Sequence, residues 1–184
     1  MFPAVLEGEG LRLRLLTVAD APAMHASASL PEVFEFTGEI WTLEAMEQFT
    51  RDSVSGSAKG TWCRYGIILP DEETPIGGIG LHNIDLRNWR CEIGYDLSPA
   101  HWGTGVMTRA PLPVLAWALG EGGFNRIEAT VMQGNERSGR LLERLGFKAE
   151  AMLREYELVR GKFRNYSMWS LLRSEWAGRV AATL

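Results

Sequence analysis

The sequence predicts an α/β domain on a mixed, mainly antiparallel sheet with flanking helices, and three features carry that prediction. Leu11, Leu13 and Leu15 alternate with Arg12 and Arg14, the period-two signature of a half-buried strand. Three further strand patterns, Trp62–Leu69, Ile76–Ile84 and Arg90–Leu97, follow one another across short breaks, as in an antiparallel meander. From Arg90–Leu97 the chain passes through one helical pattern into the strand Arg126–Met132, and a crossover of that kind makes the two strands parallel.

The remaining elements follow in order. Thr17 and Asp20 form a Thr-x-x-Asp helix start for a helical stretch from Val18 to about Ala28, and Pro31 opens a second, short piece. Thr42 caps a helix from Leu43 to about Val54, with Leu43, Met46 and Phe49 on one side; the small, polar run Ser53–Gly60 reads as a loop. Pro70–Pro75 is a turn, and Gly77-Gly78-Ile79-Gly80, inside a strand pattern, marks close packing by another strand or a ligand. The helix after Gly105 contains Pro111 and Pro113. An interior proline costs ~3 kcal/mol, so a kink or break is expected near Ala110. Gln133-Gly134-Asn135 leads into a helix with the stripe Leu141, Leu142 and Leu145, which Gly146 ends. Phe147 to about Val159 and Phe163–Leu172 form a hairpin through Arg160-Gly161-Lys162.

No repeat or low-complexity linker divides the 184 residues, and at ~150 residues per domain they predict one domain, 1–184. Hydrophobic residues make up 46% and charged residues 23%, enough for one sizeable core and against disorder. The net charge of −4 argues against a nucleic-acid coat and is compatible with a cationic substrate. Cys63 and Cys91 have neither disulfide-framework nor zinc spacing, which points to a reducing compartment and no metal site. The start shows no signal-peptide pattern, and no apolar run reaches the ~20 residues of a membrane span. A cytoplasmic protein with no membrane partner is therefore expected. Monomer and homodimer both remain open.

The segment Leu97–Thr108 carries the chemistry. It joins a strand end to a helix start, where backbone N–H groups are unpaired and the helix dipole is positive. Gly103 and Gly105 would let a phosphate approach that backbone, although Gly-x-Gly alone also describes an ordinary turn. The dinucleotide fingerprint fails because Thr108 stands where its third glycine would be, and no P-loop occurs.

The runs Cys91–Leu97, His101–Thr108, Asn135–Ser138, Leu142–Phe147 and Gly161–Arg164, with Tyr166 and Ser167, occur in one order. Together they resemble the GNAT acetyltransferase superfamily, and within it the RimJ/RimL branch of ribosomal-protein N-terminal acetyltransferases, from Leu11 to Trp176. The resemblance implies an acetyl-coenzyme A site. The family's phosphate loop falls on Trp102, Gly103, Thr104, Gly105, Val106 and Met107, where Met107 departs from the usual small residue. It implies a central parallel pair, ending near Leu97 and Met132, splayed to admit the pantetheine arm, and it makes Asn135 a coenzyme A contact.

Acetyl transfer needs a neutral amine and a stabilised leaving thiolate. An α-amine is roughly 10–15% neutral at pH 7 and a lysine roughly 0.04%. An N-terminal amine therefore needs little help, and a carboxylate acting through water suffices. With Asn135 as cap, Ser138 falls in the first helical turn, facing the ligand; the RimL-like pattern makes it the candidate general acid for the sulfur. Glu157 falls where RimL-like enzymes carry a base working through water. Alternation places it with Leu153 and Glu155, and turns Tyr156, the rival acid by chemistry, to the other face. Glu35, Glu39 and Trp41 lie in the segment expected to wall the acceptor cleft, His25 and His82 have no partner that spacing identifies, and His101 reads as a surface or packing residue.

The expected activity is acetyl-coenzyme A-dependent N-acetylation by direct attack on the thioester, with a protein or peptide N-terminal amine, such as that of a ribosomal protein, as acceptor. A small-molecule amine and a non-catalytic acyl-coenzyme A-binding module are the alternatives.

Overall fold

The computed structural model describes residues 1–37 and 41–177. Among them, eight strands form one sheet in the order β1-β2-β3-β4-β5-β6-β8-β7. Strands β1 (Val5–Gly8) and β2 (Leu11–Leu15) form a hairpin through Gly10, whose φ of +63° suits glycine. The sequence reading missed β1, whose four residues are too few to show a period. Strand β2 is where alternation places it, with Leu11 and Leu13 buried and Arg12 exposed.

Thr17 opens a short 3-10 turn at Val18–Asp20, where Asp20 accepts from the Thr17 N–H at 2.8 Å and holds Arg14 at 2.6 Å. Helices α1 (Ala21–Ala28), α2 (Pro31–Thr37) and α3 (Leu43–Lys59) follow. Thr42 caps α3 by accepting from the Ala45 N–H. The helix outruns the sequence reading: 53–59, expected as a loop, is its last two turns, ended by Gly60 at φ +71°. Ser53, Gly56 and Ser57 are buried, and a Cβ on Gly56 would overlap the Trp62 indole. A small face lets the helix lie close to its neighbours, and composition alone mistakes that for a loop.

Strands β3 (Cys63–Ile68), β4 (Gly77–Asp85) and β5 (Arg90–Leu97) form the meander. The glycines of β4 serve close packing, since a Cβ on Gly80 would overlap the Cys63 carbonyl oxygen. After β5 the chain makes α4 (Val106–Arg109) and α5 (Pro111–Leu119). The proline break falls at Ala110 as expected, but Ala110 keeps helical angles (φ −56°, ψ −38°) and Pro111 becomes the first residue of α5. There a missing N–H costs little, which accounts for the proline. Strand β6 (Arg126–Met132), α6 (Glu136–Leu145) and the hairpin β7 (Lys148–Val159) and β8 (Lys162–Leu172) complete the chain, with β8 between β6 and β7.

The parallel pair is the feature that makes a site. Its register runs Arg90–Arg126, Cys91–Ile127 and Glu92–Glu128 and stops there. Beyond it, Ile93–Leu97 and Ala129–Met132 diverge and open a slot through the sheet. On one face Cys91, Ile93, Leu97, Ile127, Ala129 and Val131 join the main core under α5 and α6. On the other lie Arg64, Gly78, Glu92 and Asp96, with Met24 of α1 against Gly78. No helix among the described residues is long and apolar enough to cross a membrane.

Candidate active site

The slot is the centre of a cleft of about 810 Å3 that reaches both faces of the sheet. On the α5–α6 face it is lined by His101, Trp102, Gly103, Gly105, Met107 and Thr108 of the loop, by Asn135 and Ser138, and by Arg137, Arg140 and Arg144 of α6. On the opposite face it is lined by Glu32, Val33 and Phe36 of α2, by His82, Glu92, Gly94 and Asp96, and by Thr130, Met132 and Tyr166.

The loop is built to expose backbone. Trp102 donates its indole N–H to the Leu97 carbonyl at 2.9 Å, which ties the loop to the end of β5. Arg137 stacks on the same ring, 4.4 Å from its centre. Gly103 (φ +77°) and Gly105 (φ +80°) hold the left-handed conformation, with no atom within 4 Å of where a Cβ would stand. The first bond into α4 is made by the Thr108 N–H to the Gly105 carbonyl at 3.1 Å, which leaves the amides of Val106 and Met107 ahead of the ladder. Leu97, Trp102, Gly103, Gly105, Met107 and Asn135, singled out in the sequence, all line the cleft. Thr104 turns its hydroxyl onto the His101 carbonyl at 2.7 Å, and the Val106 side chain is buried in the core. These two have only their backbone to offer.

Asn135 caps α6 by accepting from the Ser138 N–H at 3.2 Å, which fixes Ser138 in the first turn. There the Ser138 hydroxyl lies 2.8 Å from the Tyr95 hydroxyl. Burial pushes the Tyr95 phenol up to about 12, against the lowering effect of its bond to Ser138, so at neutral pH the pair is fully protonated. Sequence reasoning missed Tyr95; its place on the core face of β5, one turn of chain before the loop, was the available signal.

Glu157 is exposed and outside the lining of the cleft. It reaches the site through Tyr166: burial first, then hydrogen bonding to the Glu157 carboxylate, raises the Tyr166 phenol. Tyr156 packs on the Tyr166 ring with centres 5.7 Å apart. Strict alternation therefore fails: the register of β7 slips between Leu153 and Glu157, Glu155 takes φ +52°, and both Tyr156 and Glu157 approach Tyr166. Of the expected acceptor wall, Trp41 instead packs on Phe49 in a small satellite core, Glu35 is exposed, and Glu39 lies outside the described residues. From this segment it is Glu32, Val33 and Phe36 that line the cleft.

Arg64 lies largely buried against Asp96 and donates to the Gly94 carbonyl at 2.9 Å. Desolvation lowers the Arg64 guanidinium to about 10, still charged at neutral pH. One oxygen of Asp96, Oδ2, is buried without a hydrogen-bond partner among the described residues. Cys63 and Cys91 are buried and free, and burial pushes the Cys63 thiol up to about 12 and raises Cys91 further. Neither is a nucleophile at neutral pH.

Comparison with known proteins agrees with this arrangement. Residues 10–148 match the acetyltransferase (GNAT) domain family. The uncharacterized N-acetyltransferase p20 of Bacillus licheniformis is 35% identical over 176 residues, 92% of this chain and 97% of that one. The [ribosomal protein uS5]-alanine N-acetyltransferase of Escherichia coli is 30% identical over 119 residues, 64% of this chain and 61% of that one. The crystal structure of RimL, a ribosomal L7/L12 α-N-protein acetyltransferase, superposes with a TM-score of 0.84 at 18% identity, covering 91% of this chain and 93% of that one, and so shares the fold. A splayed parallel pair, a glycine loop at its open end and a domain match over most of the sequence have one reading: the chain belongs to the GNAT family of acetyltransferases.

Proposed function

We propose that this acetyltransferase moves the acetyl group of acetyl-coenzyme A to a protein or peptide N-terminal amine. The observation that carries this reading is the polarity of the cleft. Its α6 face offers backbone N–H groups and the guanidinium groups of Arg137 and Arg140, which suit an anion, while its opposite face offers the carboxylates Glu32 and Glu92, which suit a cation, with Asp96 there paired to Arg64. The protonated amine and the phosphorylated donor would thus enter from opposite sides and meet at the slot.

The residues present fit acetyl-coenzyme A. The left-handed Gly103 and Gly105 leave an open cradle that a Cβ would enter, and the freed edge Ile93–Leu97 spans roughly 16 Å at ~3.3 Å per residue, room for an extended arm with amides of its own. Gly103 to Met107 would hold the diphosphate through backbone N–H groups, Trp102 would fix the loop, and Asn135 and Leu97 would flank the arm. Bound there, acetyl-coenzyme A supplies a thioester carbonyl open to attack. Ser138, backed by Tyr95, would deliver a proton to the departing sulfur. Glu157, with Tyr166, would draw the ammonium to the mouth of the cleft.

The relatives named as ribosomal-protein N-acetyltransferases support a protein N-terminus as acceptor, and the two free thiols suit a reducing cytoplasm. The test is a panel of peptides with N-terminal Ala, Ser and Met beside spermidine, free amino acids and an aminoglycoside. Acetyl-coenzyme A consumption is read by thiol release, and the acetylated atom is located by mass spectrometry. Faster turnover on peptide N-termini is the expected result; preference for a small amine would replace this reading.

A further inference from the structure

Four side chains from three strands converge where the parallel pair separates. Glu92 is the last paired residue of β5 before the splay. Its Oε1 accepts from the Thr130 hydroxyl at 2.6 Å, and its Oε2 accepts from the Asn83 side-chain amide at 2.9 Å and lies 3.7 Å from His82 Nε2. His82 stands directly opposite Glu92 in the regular β4–β5 ladder, and the β-bulge that follows it, with Asn83 at φ +48°, brings Asn83 to the same carboxylate. Asparagine tolerates that conformation, and bulges of this kind re-aim side chains beside active sites. His82 keeps 41% of its side chain exposed and lines the cleft on the face that carries the carboxylates.

On the reading above, we propose that His82, oriented by Glu92, accepts the proton from the incoming ammonium. The imidazole takes one proton from R–NH3+, and Glu92 stabilises the imidazolium that forms. The neutral amine then bonds to the thioester carbonyl carbon and the C–S bond breaks. The second amine proton goes to the sulfur by way of Ser138, and His82 returns its proton to water. The sum is one ammonium and one thioester in, one amide, one thiol and one proton out.

The groups facing His82 support this assignment. Burial pulls the imidazole below its ordinary value, Glu92 on β5 pulls it up, and Arg64 on β3 pulls it down again; the net shift is downward. Asp52 of α3 shares a neighbouring cleft with His82, and Glu32 of α2 shares the main one. At neutral pH the imidazole is therefore largely unprotonated, as a base must be. Glu157, exposed and acting through Tyr166, is left with attraction rather than proton removal.

The test combines NMR with kinetics. The three histidines are labelled at Cε1, and the His82 signal is assigned by its loss in His82→Gln. It should titrate below ~6.5, and lower still in Glu92→Gln. With acetyl-coenzyme A and an N-terminal alanyl hexapeptide, His82→Gln should lose about a hundredfold in kcat at pH 7. It should keep its acetyl-coenzyme A Kd by calorimetry within twofold and lose the acid limb of the kcat/KM profile. Glu92→Gln should move that limb to lower pH, in step with the NMR titration, and carries the test if His82→Gln does not fold. A His82 protonated at pH 7, or either variant with a wild-type rate and pH profile, overturns the assignment alone. Wild-type protein that binds acetyl-coenzyme A but acetylates no amine of the panel overturns the amine reading, and this proposal with it.

Discussion

The hydroxyls of Tyr95 and Ser138 lie 2.8 Å apart and join the core face of β5 to the first turn of α6. One partner comes from the strand edge that opens the slot, the other from the helix that Asn135 caps. The contact is therefore made only when the crossover is in place.

Replacing either hydroxyl should test what the pair does. Ser138→Ala should lower kcat tenfold or more, while the Kd for acetyl-coenzyme A changes little, because protonation of the leaving sulfur is felt after binding. Tyr95→Phe should show a smaller loss if Ser138 delivers the proton and Tyr95 positions it. Steady-state thiol release and calorimetry separate the two effects, and equal wild-type rates in both variants would leave the pair a structural contact.

The left-handed glycine at the mouth of α4 makes the loop sensitive to charge. Gly105→Asp would put a carboxylate where nothing now stands within 4 Å, against the expected diphosphate. Acetyl-coenzyme A affinity should fall by tenfold or more, with a stability cost of ~1–2 kcal/mol from the positive φ. Calorimetry on the folded variant decides it; an unchanged Kd would move the diphosphate elsewhere.

Glu157→Gln should raise KM for a cationic acceptor more than it lowers kcat. The deficit should shrink for a peptide N-terminus between pH 7 and pH 9, since an α-amine of pKa ~7.8 is mostly neutral by then. It should persist for a lysine analogue, still an ammonium at pH 9 with pKa ~10.4. Parallel rate profiles of the two acceptors check this, and a loss independent of pH for both would assign Glu157 to folding of the hairpin.

Gly56→Ala should destabilise the protein although alanine favours helices by ~1 kcal/mol. A Cβ there would overlap the Trp62 indole, whose ring is held against Phe49 at 5.4 Å between centres, and overpacking of this kind costs ~1–3 kcal/mol. Thermal denaturation reads the sign directly; a raised Tm would show that Trp62 yields.

What the sequence by itself determined is the local grammar. Period-two alternation placed β2, and glycine and proline punctuation placed the meander turns. The Asn135 cap and Gly146 stop bounded α6 within a residue, because such signals depend on neighbours three or four positions apart. The loop 102–107 was legible for the same reason, as a short run whose backbone conformation glycine announces. What only the tertiary structure decided is what meets across the sheet. The last turns of α3 are helical because Ser53, Gly56 and Ser57 fit a close surface that composition does not show. Bulges at 82–85 and 153–157 break the alternation that would have pointed Asn83, Tyr156 and Glu157. The cluster His82, Glu92 and Thr130 comes from three strands that are up to 48 positions apart, joined by a register that no local pattern encodes. Capping and periodicity are short-range forces and can be read along the chain; register and bulge position are settled by packing the whole sheet at once, and the carboxylate-bearing face of the cleft depends on both.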